Sequence, residues 1–358
     1  MTDAHGGDVY KWENCMDFSA NCNPLGTPES VIRAVCESAQ RLRDYPEPHC
    51  RRLSQAIAAY EHTEPGDVIC SNGAAELIYQ VCRAQKPSNA LLAVPSFTEY
   101  EKALESVACR TVFWRRREEN SFRLEESFLD YLTDRTDMVI LCNPNNPDGN
   151  LSDPALMMKI VEKCRRKRIR LVVDECFLDF VKDAERHSLK RFLRDVPELF
   201  ILKAFTKRYA MAGIRLGYGL SADRQLTGRM RAMSQPWSVS GPAQAAGLAA
   251  LNEERHVLAG RKLVEKERDY LMDSLKELGF RPLSSAANFI LFRGPEDLFE
   301  KALEEGFLIR DCSNYRGLCR GYFRIAVRLH EENRSLVEAF SRIMLRGEEG
   351  VKPWPDRS

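Results

Sequence analysis

Short apolar stretches recur along most of the chain and alternate with longer amphipathic stretches. This alternation predicts repeated strand–helix–strand units, and therefore a mostly parallel sheet that is covered by helices on both faces. The predicted strands are DVIC (67–70), ALLAV (90–94), CRTVFW (109–114), DMVILC (137–142), IRLVVD (169–174), LFILKAF (199–205) and RLGYGL (215–220).

The pattern changes after about residue 240. A long charged helix is predicted over roughly 255–278, followed by the strand NFILFR (288–293), another helix and the strand YFRIAVR (322–328). We therefore expect a second, smaller α+β domain. The predicted division is an N-terminal arm with part of the small domain (1–40), a large domain (41–240) and a small C-terminal domain (241–358).

Charge and cysteine usage exclude several classes of function. The 358 residues include 53 basic and 52 acidic side chains, so a net charge of +1 gives no general attraction to nucleic acid or to an anionic membrane. A secretory leader and a long apolar run are both absent from the sequence, which predicts a cytoplasmic protein. The twelve cysteines are scattered without metal-ligand spacing, so we predict reduced thiols and no metal site.

A pair of carboxylates ends one of the predicted core strands. In LVVDECFLDF (171–180), Asp174 and Glu175 follow directly on the apolar run. Such an acid can cap the next helix or simply meet solvent. The alternative is a ligand site, because α/β proteins bind ligands at the carboxyl ends of parallel strands.

The other strand ends favour a ligand site. The segment SNGAAELIYQ offers a glycine turn and a helix N-terminus, which is suited to a phosphate. The segment NPNNPDGN presents amide side chains from a rigid turn, and the next strand ends in a threonine and a lysine. Each residue alone has an ordinary interpretation as a turn former, a cap or a surface charge. The set, all at strand ends, comprises Gly73, Asn146, Asp174, Thr206, Lys207 and Arg215.

Pyridoxal phosphate chemistry needs this set of groups. A lysine amine forms a Schiff base with the cofactor aldehyde, and a carboxylate keeps the pyridine nitrogen protonated. An arginine and a helix N-terminus hold the phosphate, and an amide donates to the ring oxygen. We therefore predict that Asp174 pairs with the ring nitrogen, whereas Glu175 is structural.

Nearly the whole chain resembles a known family. The motifs NGAAE, NPNNPDG, VVDE, FTK and GIRLGY resemble those of fold-type I pyridoxal-phosphate enzymes, in the branch that contains histidinol-phosphate aminotransferases. Closer similarity is to threonine-phosphate decarboxylases of cobalamin biosynthesis. That similarity is carried by AHGGDVY, MDFSANCNPLG, DYPEP, PSFTEY, DECFLDF, QPWSVS, IRDCSNYRGL and YFRIAVR. The resemblance implies an α/β fold with a mostly parallel seven-stranded sheet and a smaller α+β domain.

The resemblance also implies residue roles. Lys207 and Asp174 would be the catalytic pair. The cofactor would contact Gly73, Ala74, Phe97, Asn146, Asp174, Thr206, Lys207, Arg215 and Tyr45. Arg324 would bind the substrate carboxylate, and the substrate's other end would meet His5, Gly6, Gly7 and Asn23. Tyr45 would reach the cofactor phosphate of a neighbouring subunit, which implies a homodimer with shared active sites.

Four positions depart from the aminotransferase pattern. Phe177 stands where a tyrosine usually touches the ring oxygen, and this favours the decarboxylases. Lys203 and Ala204 replace an arginine and a hydroxyl residue, so one potential phosphate ligand is missing. Cys176 replaces a common alanine, which is a small change in volume.

The expected function is decarboxylation of L-threonine O-3-phosphate or L-serine O-phosphate to the amino-alcohol phosphate. One methyl group is worth only about 1–3 kcal/mol in a pocket, so the sequence leaves the choice between these two substrates open. Two other functions also stay open: an aminotransferase of the histidinol-phosphate type that uses 2-oxoglutarate, and a non-catalytic ligand-binding protein. A dinucleotide dehydrogenase is disfavoured because the first strand–helix unit lacks G-x-G-x-x-G.

Overall fold

The computed structural model describes residues 6–348, which form two lobes around two main sheets. The strands are β1 (Met16–Asp17), β2 (Val68–Ser71), β3 (Asn89–Val94), β4 (Arg110–Arg115), β5 (Met138–Cys142), β6 (Arg170–Asp174), β7 (Leu199–Ala204), β8 (Gly217–Leu220), β9 (Arg281–Pro282), β10 (Phe289–Arg293), β11 (Phe307–Leu308), β12 (Arg310–Asp311) and β13 (Tyr322–Ala326). The strands predicted from the apolar runs are all present.

The helices are α1 (Glu29–Ser38), α2 (Arg51–Glu61), α3 (Ala74–Gln85), α4 (Glu99–Glu105), α5 (Pro154–Lys167), α6 (Ala184–His187), α7 (Phe205–Arg208), α8 (Arg224–Met233), α9 (Gly241–Ala250), α10 (Glu254–Glu277), α11 (Leu298–Glu304) and α12 (His330–Glu348). The predicted charged helix near 255–278 corresponds to α10. Between residues 6 and 348, the helices are all too short or too polar to cross a membrane.

The larger lobe is built on a seven-stranded sheet with the order β2-β8-β7-β6-β5-β3-β4. Strands β3 to β7 pair in parallel, whereas β8 runs antiparallel to both of its neighbours. This arrangement confirms the predicted fold class.

Helices cover both faces of this sheet, which explains why its central strands β5, β6 and β7 are buried at every position and mostly apolar. Side chains of β5 alternate between the two faces. Val139 and Leu141 join a core that contains side chains of α2 and α5. Met138 and Ile140 join a second core that contains side chains of α3, α4 and α8.

The smaller lobe contains the antiparallel sheet β12-β13-β10-β9, packed against α10 and α12. Its core includes Phe292, Phe323 and Phe340. Strand β1 pairs in parallel with β11 and brings Phe18 into the same core. The part of the N-terminal segment that contains β1 therefore belongs to the smaller lobe.

Packing contacts show which lobe each segment near the predicted domain boundaries joins, and the boundaries themselves stay a prediction. Helices α1 and α9 pack against each other, and Val31 and Ala246 belong to a core of the larger lobe. Val257, near the start of α10, belongs to the same core, whereas Val264 belongs to the core of the smaller lobe, so the packing changes within α10. Of residues 6–40, the segment around β1 joins the smaller lobe, and α1 joins the larger one.

Candidate active site

A cleft of about 400 Å³ lies where the carboxyl ends of the central strands meet the smaller lobe. The strand register puts Cys142 beside Asp174, and Asp174 beside Leu202, so β5 and β6 end at the same level and β7 continues to Ala204. The larger lobe contributes the predicted residues Ala74, Phe97, Asn146, Asp174, Thr206, Lys207 and Arg215 to the cleft. The smaller lobe contributes Arg310, Tyr315 and Arg324.

The Asp174 carboxylate is held by a hydrogen bond to each of its oxygens. The buried Tyr100 hydroxyl donates to Oδ2 at 2.6 Å, and the backbone N–H of Cys176 donates to Oδ1 at 2.9 Å. These contacts fix the orientation of the carboxylate at the floor of the cleft. Asp174 is buried and does not simply meet solvent, and its predicted pairing with a protonated ring nitrogen stays a prediction.

Glu175 faces away from the cleft. Its carboxylate accepts hydrogen bonds from the Ser188 hydroxyl and the Leu189 N–H, both at 2.8 Å. Burial raises the pKa of Glu175 above its ordinary value. These contacts agree with the predicted structural role.

One end of the cleft is a cradle for an anion. Gly73 has a φ of 83° before α3, and a Cβ there would lie 2.4 Å from Nη2 of Arg215. The first N–H groups of a helix have no partner within the helix, and here they belong to Ala74 and Ala75. The Thr206 hydroxyl and the Arg215 guanidinium line the same cleft. This donor set suits a phosphate, and a bulkier residue than Gly73 would close it.

The Lys207 amine lies opposite an aromatic wall. Lys207 is in the short helix α7 and is partly buried, and its Nζ lies 6.0 Å from the centre of the Phe177 ring. Phe177 packs edge-on against Phe289, with ring centroids 4.9 Å apart. The wall thus presents a ring without a hydroxyl group, as the sequence predicted.

The Asn146 amide is oriented by the smaller lobe. Its Oδ1 accepts hydrogen bonds from Nη1 of Arg324 and from the Tyr315 hydroxyl. The neighbouring Asn145 amide donates to the carbonyl oxygen of Pro95 at 3.0 Å and anchors the turn. Because Oδ1 of Asn146 accepts from donors, its Nδ2 is left as the donor on the other side of the amide.

Two arginines face the cleft from adjacent strands. Arg310 and Arg324 are directly opposite each other in the antiparallel β12–β13 pair, so their side chains lie on the same face of the sheet. Arg310 donates to Oδ1 of Asn314 at 2.8 Å and stacks over Tyr315 at 5.6 Å. Two neighbouring cations suit a ligand with two anionic groups.

The chemical groups of the cleft fit pyridoxal 5′-phosphate. The cradle at Gly73 would hold the phosphate, Asp174 would hold the ring nitrogen, and Nδ2 of Asn146 would donate to the ring oxygen. Lys207 would supply the amine for the aldehyde, and Phe97 would stack on the ring.

The predicted substrate residue Asn23 is placed elsewhere. Its Nδ2 donates to the carbonyl oxygen of Arg208 at 3.0 Å, and its Oδ1 accepts from the Leu25 N–H at 3.1 Å. Asn23 therefore anchors the N-terminal segment beside Lys207. Asn21 lines the cleft instead, and its buried Oδ1 accepts no hydrogen bond from the described part of the chain. The substrate role of Asn23 stays a prediction, and Asn21 is the neighbouring asparagine whose side chain lines the cleft.

The predicted glycines are only partly in the cleft. Gly6 lines it, whereas Gly7 lines a smaller neighbouring cavity of about 190 Å³ and donates to the Ser19 hydroxyl at 2.7 Å. The prediction for His5 lies outside the described residues. The substrate role of this segment therefore stays a prediction.

Tyr45 lies outside the cleft of its own chain. Its side chain is 79% exposed and packs on Trp237, with ring centroids 4.6 Å apart. This exposure leaves the predicted contact with a neighbouring subunit available, and that contact stays a prediction.

Lys203 belongs to a buried ion network and not to the phosphate cradle. Its Nζ lies 3.6 Å from Glu61 and 3.7 Å from Glu175. Burial by itself lowers the pKa of Lys203, but the charges of these two carboxylates raise it above the ordinary value. The replacement of arginine by Lys203 therefore affects this network, whereas Ala204 does line the cleft without a hydroxyl.

The cleft residues that the sequence analysis missed include these four: Asn21, Tyr100, Arg310 and Tyr315. All four lie within motifs that carry the family resemblance. The motifs were a signal for the segments, but the spacing within a loop does not tell which side chains turn inward.

Three comparisons with known proteins match this arrangement. The family model described as "Aminotransferase class I and II" matches residues 13–340. A threonine-phosphate decarboxylase from Salmonella typhimurium is 33% identical over 95% of this chain and 96% of its own length. An adenosylcobalamin biosynthesis bifunctional protein, CobDQ, from Leptospira interrogans is 30% identical over 95% of this chain and 41% of its own length. The crystal structure of histidinol-phosphate aminotransferase from Clostridium acetobutylicum has a TM-score of 0.85 and 29% identity, over 92% of this chain and 99% of that one.

Proposed function

Since the chain belongs to the class I and II aminotransferase family, we propose that it uses pyridoxal 5′-phosphate to release CO2 from a phosphoamino acid in the cytoplasm. The substrate is L-threonine O-3-phosphate or L-serine O-phosphate, and the product is the matching amino-alcohol phosphate. The similarity to the Salmonella decarboxylase and to the cobalamin bifunctional protein supports this reaction and its use in cobamide synthesis.

The pairing of Arg310 with Arg324 is the observation that carries the proposal. A phosphoamino acid is short and has an anion at each end, so each guanidinium takes one of them. Arg324 binds the carboxylate and Arg310 the phosphate. Histidinol phosphate has only one such anion and would leave one of the two arginines without a substrate anion to bind.

Binding of both ends of the substrate, by Arg310 and Arg324, selects the bond that breaks. In pyridoxal enzymes, the Cα bond that stands perpendicular to the ring is weakened. Anchors at both ends fix the torsion about Cα, and this positioning is a main source of rate enhancement. A decarboxylase must turn the carboxylate out of the ring plane, whereas an aminotransferase must turn out the Cα–H bond.

The chain's own residues complete the chemistry. When bound, the cofactor supplies a protonated ring that accepts the electron pair of the breaking bond. The Asp174 carboxylate would keep the ring nitrogen protonated, and the Asn146 amide would donate to the ring oxygen, with no tyrosine at position 177 to share that contact. Lys207 would supply the amine for the cofactor aldehyde in the resting enzyme. Once the substrate amine had taken its place, the freed and protonated Lys207 would donate the proton to Cα after CO2 has left.

The test compares substrates under one set of conditions. Enzyme and cofactor are incubated with each phosphoamino acid, and separately with histidinol phosphate and 2-oxoglutarate, while CO2 and glutamate are followed. We expect CO2 and an amino-alcohol phosphate from the phosphoamino acid alone. Glutamate without CO2 would support the aminotransferase, and neither product would support a ligand-binding protein without catalysis.

The proposal includes a homodimer in which Tyr45 completes the partner's cofactor site. The exposed stack of Tyr45 on Trp237 supports it, because large exposed aromatic side chains are typical of interfaces. If Tyr45→Phe is strongly impaired, mixing it with Lys207→Ala should restore activity through mixed dimers. A catalytically competent monomer in sedimentation would contradict the shared site.

A further inference from the structure

Tyr100 connects two neighbouring elements at the floor of the cleft. It lies in the first turn of α4, its side chain is fully buried, and its hydroxyl donates to Oδ2 of Asp174 at 2.6 Å. Its ring packs edge-on against Phe97, with centroids 5.6 Å apart. Tyr100 thus contacts both the proposed partner of the ring nitrogen and the proposed stacking residue.

We propose that Tyr100 is a positioning residue that controls how the proton is shared between Asp174 and the ring nitrogen of the cofactor. The inference rests on the proposed function, because it needs the ring nitrogen to lie against Asp174. It adds a residue to the site through its effect on the carboxylate, with no requirement that Tyr100 touch the substrate.

The physical reason is the balance of donors around one carboxylate. Oδ1 of Asp174 is held by the Cys176 N–H, and Oδ2 by the Tyr100 hydroxyl. A donated hydrogen bond stabilises the ionised carboxylate and makes it a weaker base. Without the hydroxyl, the shared proton would move from the ring nitrogen toward Asp174, and the ring would accept electrons less well.

The Tyr100 hydroxyl is suited to stay a donor. Burial, together with the charge of Asp174, raises the pKa of Tyr100 well above its ordinary value. The phenol therefore remains protonated over the working pH range, and the carboxylate always receives this hydrogen bond.

A second tyrosine in the same chain provides a matched control. Tyr218 is also buried, and its hydroxyl also donates to a buried carboxylate, that of Glu61. Tyr100 lines the cleft, whereas Tyr218 does not. Removing the Tyr218 hydroxyl therefore costs the same type of interaction as removing the Tyr100 hydroxyl, but at a distance from the cofactor.

The experiment measures the protonation state of the cofactor's ring nitrogen directly. Wild type, Tyr100→Phe and Tyr218→Phe are loaded with ring-¹⁵N pyridoxal 5′-phosphate and examined by solid-state NMR. We expect a protonated ring nitrogen in wild type and in Tyr218→Phe, and a shift toward the unprotonated position in Tyr100→Phe. In Tyr100→Phe, kcat should fall roughly 10- to 100-fold, as for loss of one charge-assisted hydrogen bond, with little change in KM.

A second variant covers the case in which Tyr100→Phe does not fold. A 3-fluorotyrosine at position 100 keeps the hydrogen bond but makes the phenol a stronger donor, so the ring nitrogen should become more fully protonated. An unchanged resonance in both variants, with a protonated nitrogen in wild type, overturns the inference and leaves the proposed function standing. A wild-type protein without bound cofactor, or with an unprotonated ring nitrogen, overturns the proposed role of Asp174 and this inference with it.

Discussion

Nη1 of Arg324, in the smaller lobe, donates a hydrogen bond to Oδ1 of Asn146, in the larger lobe. The same guanidinium donates through Nη2 to the carbonyl oxygen of Ser19 at 3.0 Å. One side chain therefore joins the turn after β5, the N-terminal segment and β13. A carboxylate that binds at Arg324 arrives next to the amide that would donate to the cofactor ring oxygen, so substrate and cofactor contacts are physically linked.

The position of the amine gives the first prediction. Borohydride reduction of the cofactor-loaded protein should fix the cofactor on Lys207, and Lys207→Ala should abolish both the covalent link and turnover. Peptide mapping after reduction checks this assignment. The buried Lys203, four residues earlier, serves as the internal control, because its ion pairs with Glu61 and Glu175 should keep it unlabelled. Label on Lys203 would show that the site is wrongly assigned.

The second prediction concerns Arg310. Arg310→Gln should lower kcat/KM for threonine phosphate by roughly 10- to 100-fold, because a charge-assisted contact to the phosphate is lost. Inorganic phosphate should inhibit wild type competitively and inhibit the variant less. Arg316→Gln is the control, since Arg316 is exposed and pairs with Glu101 at 2.5 Å outside the cleft. Equal phosphate inhibition of wild type and Arg310→Gln would rule out Arg310 as the phosphate ligand.

The third prediction separates two neighbouring asparagines. Asn21→Ala should lower kcat/KM and leave the free energy of unfolding nearly unchanged, because its Oδ1 faces the cleft without a partner among the described residues. Asn23→Ala should lower the free energy of unfolding by about 1–3 kcal/mol, because the buried carbonyl oxygen of Arg208 loses its hydrogen bond from the Asn23 side chain. Urea unfolding and steady-state kinetics on both variants check the assignment. A loss of kcat/KM in Asn23→Ala, with a loss of stability in Asn21→Ala, would assign the substrate contact to Asn23 instead.

Much of the large sheet, and of the part of the cleft at its edge, was predictable from the sequence, because both depend on the order of the strands along the chain. Apolar runs located β5, β6 and β7, and parallel pairing then brought Asn146, Asp174 and Lys207 to one edge. Arg310 was not predictable, because its place opposite Arg324, fourteen residues later, depends on the pairing of the short strands β12 and β13. The sequence also did not show that the side chain of Asn21, and not that of Asn23, lines the cleft. A loop has no fixed period that tells which side chain turns inward.

The fourth prediction is a dependence of stability on pH. Burial by itself would raise the pKa of Glu61, but Lys203, Lys190 and the Tyr218 hydroxyl lower it from 4.5 to about 2. A lowered pKa means that the ionised form stabilises the folded state. That contribution, roughly 3 kcal/mol, should be present above pH 4.5 and lost as the pH falls toward 2.

Urea unfolding between pH 7 and pH 3 measures this contribution. Wild type should lose stability through the window from pH 4.5 downward more steeply than Glu61→Gln, which should already be less stable at pH 7. Glu64→Gln is the control, because Glu64 is exposed and its pairs with Arg194 and Arg224 contribute little. Parallel acid profiles for wild type and Glu61→Gln would contradict the prediction.

The choice of the bond that breaks is the central claim, and a doubly labelled substrate tests it most directly. L-Threonine O-3-phosphate that carries ¹³C in the carboxylate and deuterium at Cα is turned over by the cofactor-loaded protein, and the products are analysed by NMR and mass spectrometry. We predict that the ¹³C leaves as CO2 while the deuterium stays on the carbon of the amino-alcohol phosphate. Loss of deuterium to solvent with the ¹³C retained in a keto acid would contradict the account.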